Sequence, residues 1–168
     1  IYEVSSIGHH LGVQPQTQTQ MRLTDDYEQA RRVYLTSIVK YRVHQRSFRE
    51  RVLQAYKEQC AFCRLKHAQL LDAAHIVADR EDLGEPLVIN GLSLCKIHHA
   101  AFDANIIGVT PDYLIRIRDD ILRETDGPML KHGIQALENQ RIVLPGSKQQ
   151  WPDRERLSIR YDSFLNAV

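Results

Sequence analysis

"NGLSLCKIHHAAFD" (Asn90–Asp103) is the stretch on which the fold turns. "NGLSLC" leads into "KIHHAAFD", which has the composition of a short helix. Within it Cys95 and His98 are spaced C-x2-H, and upstream "CAFC" places Cys60 and Cys63 at C-x2-C. Each tight turn lets both side chains point at one ion. Thiolate and imidazole suit Zn²⁺, and four such ligands form a closed tetrahedral structural site with no position left for chemistry. All three cysteines of the chain are used in this way; the alternative is three buried free thiols. The two pairs lie further apart than in a small zinc finger, so the segment between them must loop out and return.

That segment carries a second set of groups. "LLDAAHIV" reads as a strand with His75 at the end of its run, and a polar loop follows from Ala78 to Val88. Asn90 stands before Gly91, where the chain returns. His99 and Asp103 are spaced i, i+4, which puts them on one helical face. An imidazole and a carboxylate placed so can hold one divalent cation and leave positions open to water and substrate oxygens. His98 and His99 are neighbours and so point in different directions, one toward the closed site and the other toward an open one.

Outward from this core the patterning is coarser. Residues 1–22 read as a linker or arm, on the composition of "GVQPQTQTQ" (Gly12–Gln20). The rest, 23–168, reads as one domain: a basic helical part over about 24–58, the metal-bearing core over about 59–108, and an extension over about 109–168. A helix is expected from near Asp25, with Glu28 completing a capping box and Tyr27, Ala30, Tyr34, Ile38 and Tyr41 at spacings of three and four. A second is expected from about Arg46 to Tyr56, its apolar face formed by Phe48, Val52, Leu53 and Tyr56. "NIIGV", "TPD" and "YLIRIR" read as a hairpin. A short helix around Met129–Leu137, a strand at "RIVLP" and a last helix from about Pro152 to Leu165 complete an α+β reading.

The chain has 168 residues, 43% hydrophobic and 26% charged, ordinary for one globular domain with a sizeable core. No apolar run is long enough to span a bilayer, and no signal peptide opens the chain. The odd cysteine count argues against a disulfide framework. The chain begins at Ile1 rather than Met, as expected of a fragment of a longer protein. The net charge of +1 conceals two blocks. From Arg31 to Lys66 ten Lys or Arg stand against two Asp or Glu, net +8; from Asp72 to Asp126 five stand against eleven, net −6. A basic block beside an acidic one suits a protein that grips a polyanion with one part and holds cations with another; the alternative is two solvated faces.

Taken together, "CAFC", "AAHI", "NGLSLCKIHHAAFD" and "NIIGV" resemble the HNH nucleases with a ββα-metal motif, and most closely their zinc-knuckle branch among bacterial restriction endonucleases. The similarity runs from about Arg46 to the C-terminal "RLSIRYDSF". It implies a ββα-metal core with a structural zinc knuckle, flanked by N-terminal helices and a C-terminal helix and strand extension. It also implies roles. His75 is the general base that activates water, Asn90 braces the loop holding His75, and His99 with Asp103 ligates a catalytic Mg²⁺ or Mn²⁺. Many HNH nucleases have a metal ligand just before the base, where this chain has Ala74; Asp72, on the same face of a strand, is the candidate substitute. The implied partner is double-stranded DNA, modified or not, with a homodimer making the two cuts and a recognition domain upstream of residue 1. The implied location is the bacterial cytoplasm. Phosphate contacts are expected from Arg42, Arg46, Arg49, Lys57, Arg64 and Lys66. Two other readings compete: a catalytically silent zinc module that only binds nucleic acid, and a zinc hydrolase of small molecules, which the basic block does not support.

Overall fold

The computed structural model describes residues 16–167, with the side chains of 26–37, 39 and 43–167. In chain order the elements are α1 (Gln16–Ala55), β1 (Leu71–His75), β2 (Gly91–Cys95), α2 (Lys96–Asp103), β3 (Ile107–Val109), β4 (Ile115–Ile117), α3 (Asp119–Arg123), α4 (Pro128–Gly133) and α5 (Arg154–Leu165). Short 3-10 turns stand at Ala68–Leu70, Val88–Asn90, Gln135–Leu137 and Lys148–Gln150. The class is α+β. None of the described helices is long and apolar enough to cross a membrane.

Two units divide the chain, one ending at Arg42 and the other starting at Val43. The described part of the first is helical from Gln16 onward. A single α1 therefore replaces the two helices expected from Asp25 and Arg46, and the capping box at Asp25 falls in a helix interior. The cause is local: Tyr41 to Ser47 holds neither Gly nor Pro, so nothing interrupts the hydrogen-bond ladder. Gln16–Gln20, read as linker, is helical too, while the rest of that stretch lies outside the described residues.

In the second unit β1 and β2 pair antiparallel, from Leu71 opposite Cys95 to His75 opposite Gly91. The chain enters α2 directly after β2, which gives the order ββα. β3 and β4 form the expected second hairpin, with Ile107 opposite Ile117. The strand expected at "RIVLP" is reduced to one bridge, Leu114 with Arg141. Its backbone is shared between two neighbours, since Ile142 N–H donates to Tyr113 and Val143 N–H to Ala61. The helix expected around Met129–Leu137 ends at Gly133 and resumes as a 3-10 turn.

One core serves the whole unit. Phe48, Val52 and Tyr56 of α1 are fully buried with Leu71 of β1, Leu92 and Leu94 of β2, Phe102 of α2 and Leu157 of α5. Each such side chain contributes on the order of 1.5–3 kcal/mol on leaving water. Packing between α1 and β2 is tight at Gly91, where an added Cβ would lie 2.5 Å from Val52 and 2.9 Å from Phe48. Gly91 is thus required by the approach of α1 to β2, and its extended φ of −132° suits any residue. Gly91→Ala is expected to lower the denaturant midpoint by an amount equivalent to about 1–3 kcal/mol; a midpoint equal to the parent's would show that the contact yields freely.

Candidate active site and metal centre

Cys60, Cys63, Cys95 and His98 gather so closely that their ligand atoms all lie within 4.8 Å of one another. The first knuckle is closed by Cys60 N–H donating to Leu65 and Arg64 N–H to Cys60. Arg64 takes a left-handed φ of 63° to complete the turn. The second knuckle spans the β2–α2 junction. His98 Nδ1 faces the cluster, 3.4 Å from Cys60 Sγ and 3.3 Å from Cys95 Sγ. Its Nε2 lies 2.7 Å from the Gly133 carbonyl, which fixes ring and tautomer and leaves Nδ1 as the ligand. Hydrogen bonds from Cys60 and Cys63 hold Cys95 as a thiolate, far below the usual thiol range. Burial alone would pull His98 down, but its bonds to Cys60, Cys95 and Gly133 push it up to about 10. Three sulfurs and one imidazole nitrogen at these separations fit Zn²⁺.

The second set surrounds the end of β1. His75 stacks on Phe48 with ring centroids 4.1 Å apart and planes 23° from parallel. Its Nε2 is buried and has no hydrogen-bond partner. Burial lowers the imidazole pKa, the charge of His99 lowers it further, and Asp79 and Asp103 act in the opposite sense. His75 therefore stands neutral at pH 7, within the electrostatic reach of the α2 pair. That pair is closed: His99 Nε2 lies 3.3 Å from Asp103 Oδ2, with Asp103 largely exposed.

Asn90 is wholly buried. Its Oδ1 accepts from Val77 N–H at 2.9 Å, and its Nδ2 donates to the carbonyls of Val77 at 3.0 Å and Glu85 at 3.1 Å. Its own carbonyl accepts from Ile76 N–H. The amide thus clamps the two residues after His75 to the far end of the loop.

Other expected residues are engaged elsewhere. Burial pushes the Asp72 carboxyl up, but Lys96 at 3.0 Å and the Ala73 N–H outweigh this and hold it below its ordinary value. Arg49 approaches the same carboxylate at 3.4 Å. Among the described residues, no second group of three metal ligands assembles with His99 and Asp103. Arg49 also donates to the carbonyls of Ala68 and Leu71, so it ties α1 to β1 rather than facing solvent freely. Arg46 is exposed and paired with Glu50 at 3.0 Å. Lys57, Arg64 and Lys66 are exposed, and the Arg42 side chain lies outside the described residues.

Three contributors escaped the sequence. Phe48 supplies the apolar wall of His75, although its place on the helix face was legible. Arg156, almost fully buried in α5, donates to the Leu83 carbonyl and to Glu85, both at 2.8 Å, and so anchors the polar loop. Arg160 binds the Phe102 carbonyl and Asn105 and stacks on the Phe102 ring at 4.6 Å. It seals the C-terminal end of α2, where a cation is favoured by the helix dipole.

Residues 60–110 match the family model HNH_2, described as HNH endonuclease. The match begins at the first knuckle and ends just past β3, so it spans the ββα unit. No curated protein matches the chain. Among solved structures, a modification-dependent TagI restriction endonuclease is similar, with a TM-score of 0.47 and 16% identity. The alignment covers 70% of this chain and 37% of that one, so the chain spans little more than a third of that protein's length.

The donor set gives a direct test. Cys95→Ser is expected to abolish stoichiometric zinc, measured by atomic absorption, and to lower the melting temperature steeply, because folding energy is bound up with the ion. A parent that melts identically with and without chelator would sink the cluster as a structural zinc site.

Proposed function

We propose that this chain is a metal-dependent HNH endonuclease that hydrolyses phosphodiester bonds in double-stranded DNA, as a restriction enzyme or its cleavage part. The observation that carries the reading is His75 Nε2, a buried nitrogen without a hydrogen-bond partner, within the electrostatic reach of His99 and Asp103. Leaving a polar atom unsatisfied costs about 1–3 kcal/mol, and it is sustained here by Phe48 stacked on the ring and by the Asn90 clamp on the residues that follow. A neutral imidazole so placed takes a proton from a water that attacks phosphorus in line. His99 and Asp103 would hold Mg²⁺ or Mn²⁺. Such an ion, when bound, neutralises charge on the phosphate and on the departing 3′ oxygen. The Cys60, Cys63, Cys95 and His98 cluster holds α2 in place and takes no part in the chemistry.

Lys57, Arg64, Lys66, Arg46 and Arg42 are the proposed phosphate contacts, with sequence or modification readout supplied by an attached domain. Arg49 and Asp72 are given structural roles. One site per chain and two strands to cut imply two copies of the protein. The setting we assign is the bacterial cytoplasm.

Plasmid nicking in Mg²⁺ or Mn²⁺ tests the assignment. His75→Ala is expected to cut about 10²–10⁴-fold more slowly than the parent. Equal rates would remove His75 from the mechanism, and a parent inert on unmodified and modified DNA alike would favour the zinc module that only binds.

The pH profile gives a separate check. A base whose folded pKa is lowered stays in its active neutral form to lower pH. The rate is therefore expected to be flat around neutrality and to fall only below the ordinary imidazole value of 6.5. An acid limb centred above that value would contradict the environment described for His75.

A further inference from the structure

Helix α5 lies outside the ββα order, yet it touches both halves of the site. Its seat is firm. Leu157 is fully buried, and the Phe164 ring packs on Gly108, where an added Cβ would lie 2.6 Å from it. Arg156 and Arg160 stand one turn apart on the face that carries these two side chains.

Arg156 reaches the polar loop. Its Nε donates to the Leu83 carbonyl and its Nη2 to the Glu85 carboxylate, both at 2.8 Å. The backbone carbonyl of Glu85 accepts from Asn90, whose amide also holds both backbone groups of Val77. Asp153, which caps α5, donates its N–H to the Ile89 carbonyl at 2.9 Å. The start of α5 thus holds the loop both before and at its return, and through Asn90 the residues that follow His75.

Arg160 reaches the other half. It binds the Phe102 carbonyl and the Asn105 side chain, and its guanidinium stands over the Phe102 ring. Phe102 directly precedes Asp103, and the charges of Asp103 and Glu81 both act on Arg160. Arg156, for its part, is only 7% exposed. For stability alone an apolar side chain of similar volume often serves as well in such a place. The planar fork adds direction, since it fixes two acceptors at once.

We propose that Arg156 and Arg160 are positioning residues, which tie the loop behind His75 and the end of α2 to one rigid helix and so fix the spacing between His75 and the His99–Asp103 pair. This deepens the nuclease reading above, in which neither guanidinium touches the substrate.

Two readouts test it, and the first needs no activity. The pKa of the His75 ring is followed by NMR, its signal identified by its loss in His75→Ala. Arg156→Met is expected to free the loop, admit water to the ring and raise that pKa toward 6.5. Arg156→Lys keeps the charge without the fork and is expected to shift it the same way by less, which covers a Met variant that does not fold. Leu157→Val weakens α5 with both arginines in place and is expected to leave the pKa where it was. The second readout is steady-state cleavage. Arg156→Met and Arg160→Met are each expected to lower kcat on the order of 10–10²-fold at unchanged KM. The double variant is expected to lose no more than the worse single, because a bridge broken at one end is already broken. An unmoved His75 pKa, an equal shift in Leu157→Val, losses that multiply in the double variant, or a raised KM at constant kcat would each overturn the proposal. A parent inert on every DNA would refute the nuclease reading instead, and the His75 titration would still decide whether α5 positions the ring.

Discussion

An α-helix turns by about 100° per residue, and the site depends on that rotation between His98 and His99. His98 is buried, with one nitrogen among the thiols and the other on Gly133. His99, the next residue, lies on a part-exposed face with Asp103 one turn beyond it. One short helix thus serves a closed centre and an open one. The closed centre also fixes the open one. With Nδ1 of His98 held by two sulfurs, α2 cannot rotate about its axis without breaking the cluster, so the direction of His99 is settled by its neighbour.

A similar economy holds at the end of β1. His75 is positioned by groups far from it in the sequence. Asn90 grips the backbone of Val77 and reaches Glu85, and Arg156 grips Leu83 and Glu85 from α5. The polar loop between the strands is therefore tied at both ends. It forms a rigid shoulder to the site, although its composition is that of an ordinary surface turn.

How much of this was legible followed from whether the information is local. The C-x2-C and C-x2-H spacings, the ββα order and the i, i+4 pair are short-range patterns, and the structure brings Cys60, Cys63, Cys95 and His98 together as the spacing requires. The clamp by Asn90 came from the resemblance, because a single Asn before a Gly has no pattern of its own. Pairings across long separations were invisible. Arg49 and Lys96 converge on Asp72, which stood in the sequence as a candidate ligand and stands in the fold as an ion-pair partner. The basic block was real in composition, but composition cannot separate Arg49, spent on backbone carbonyls, from an exposed Lys66. The break expected between two helices rested on patterning alone, and without Gly or Pro the backbone had no reason to stop.

The first knuckle exposes a point of chemical weakness. Of the four sulfur and nitrogen groups in the cluster, Cys63 alone is at the surface, so a peroxide or an electrophile diffusing in meets that sulfur before any other. Oxidation there would break the cluster and loosen α2, which carries His99 and Asp103. The packing of α2 would thus depend on the chemical state of one surface sulfur, and the life of the fold on the reducing power of its surroundings.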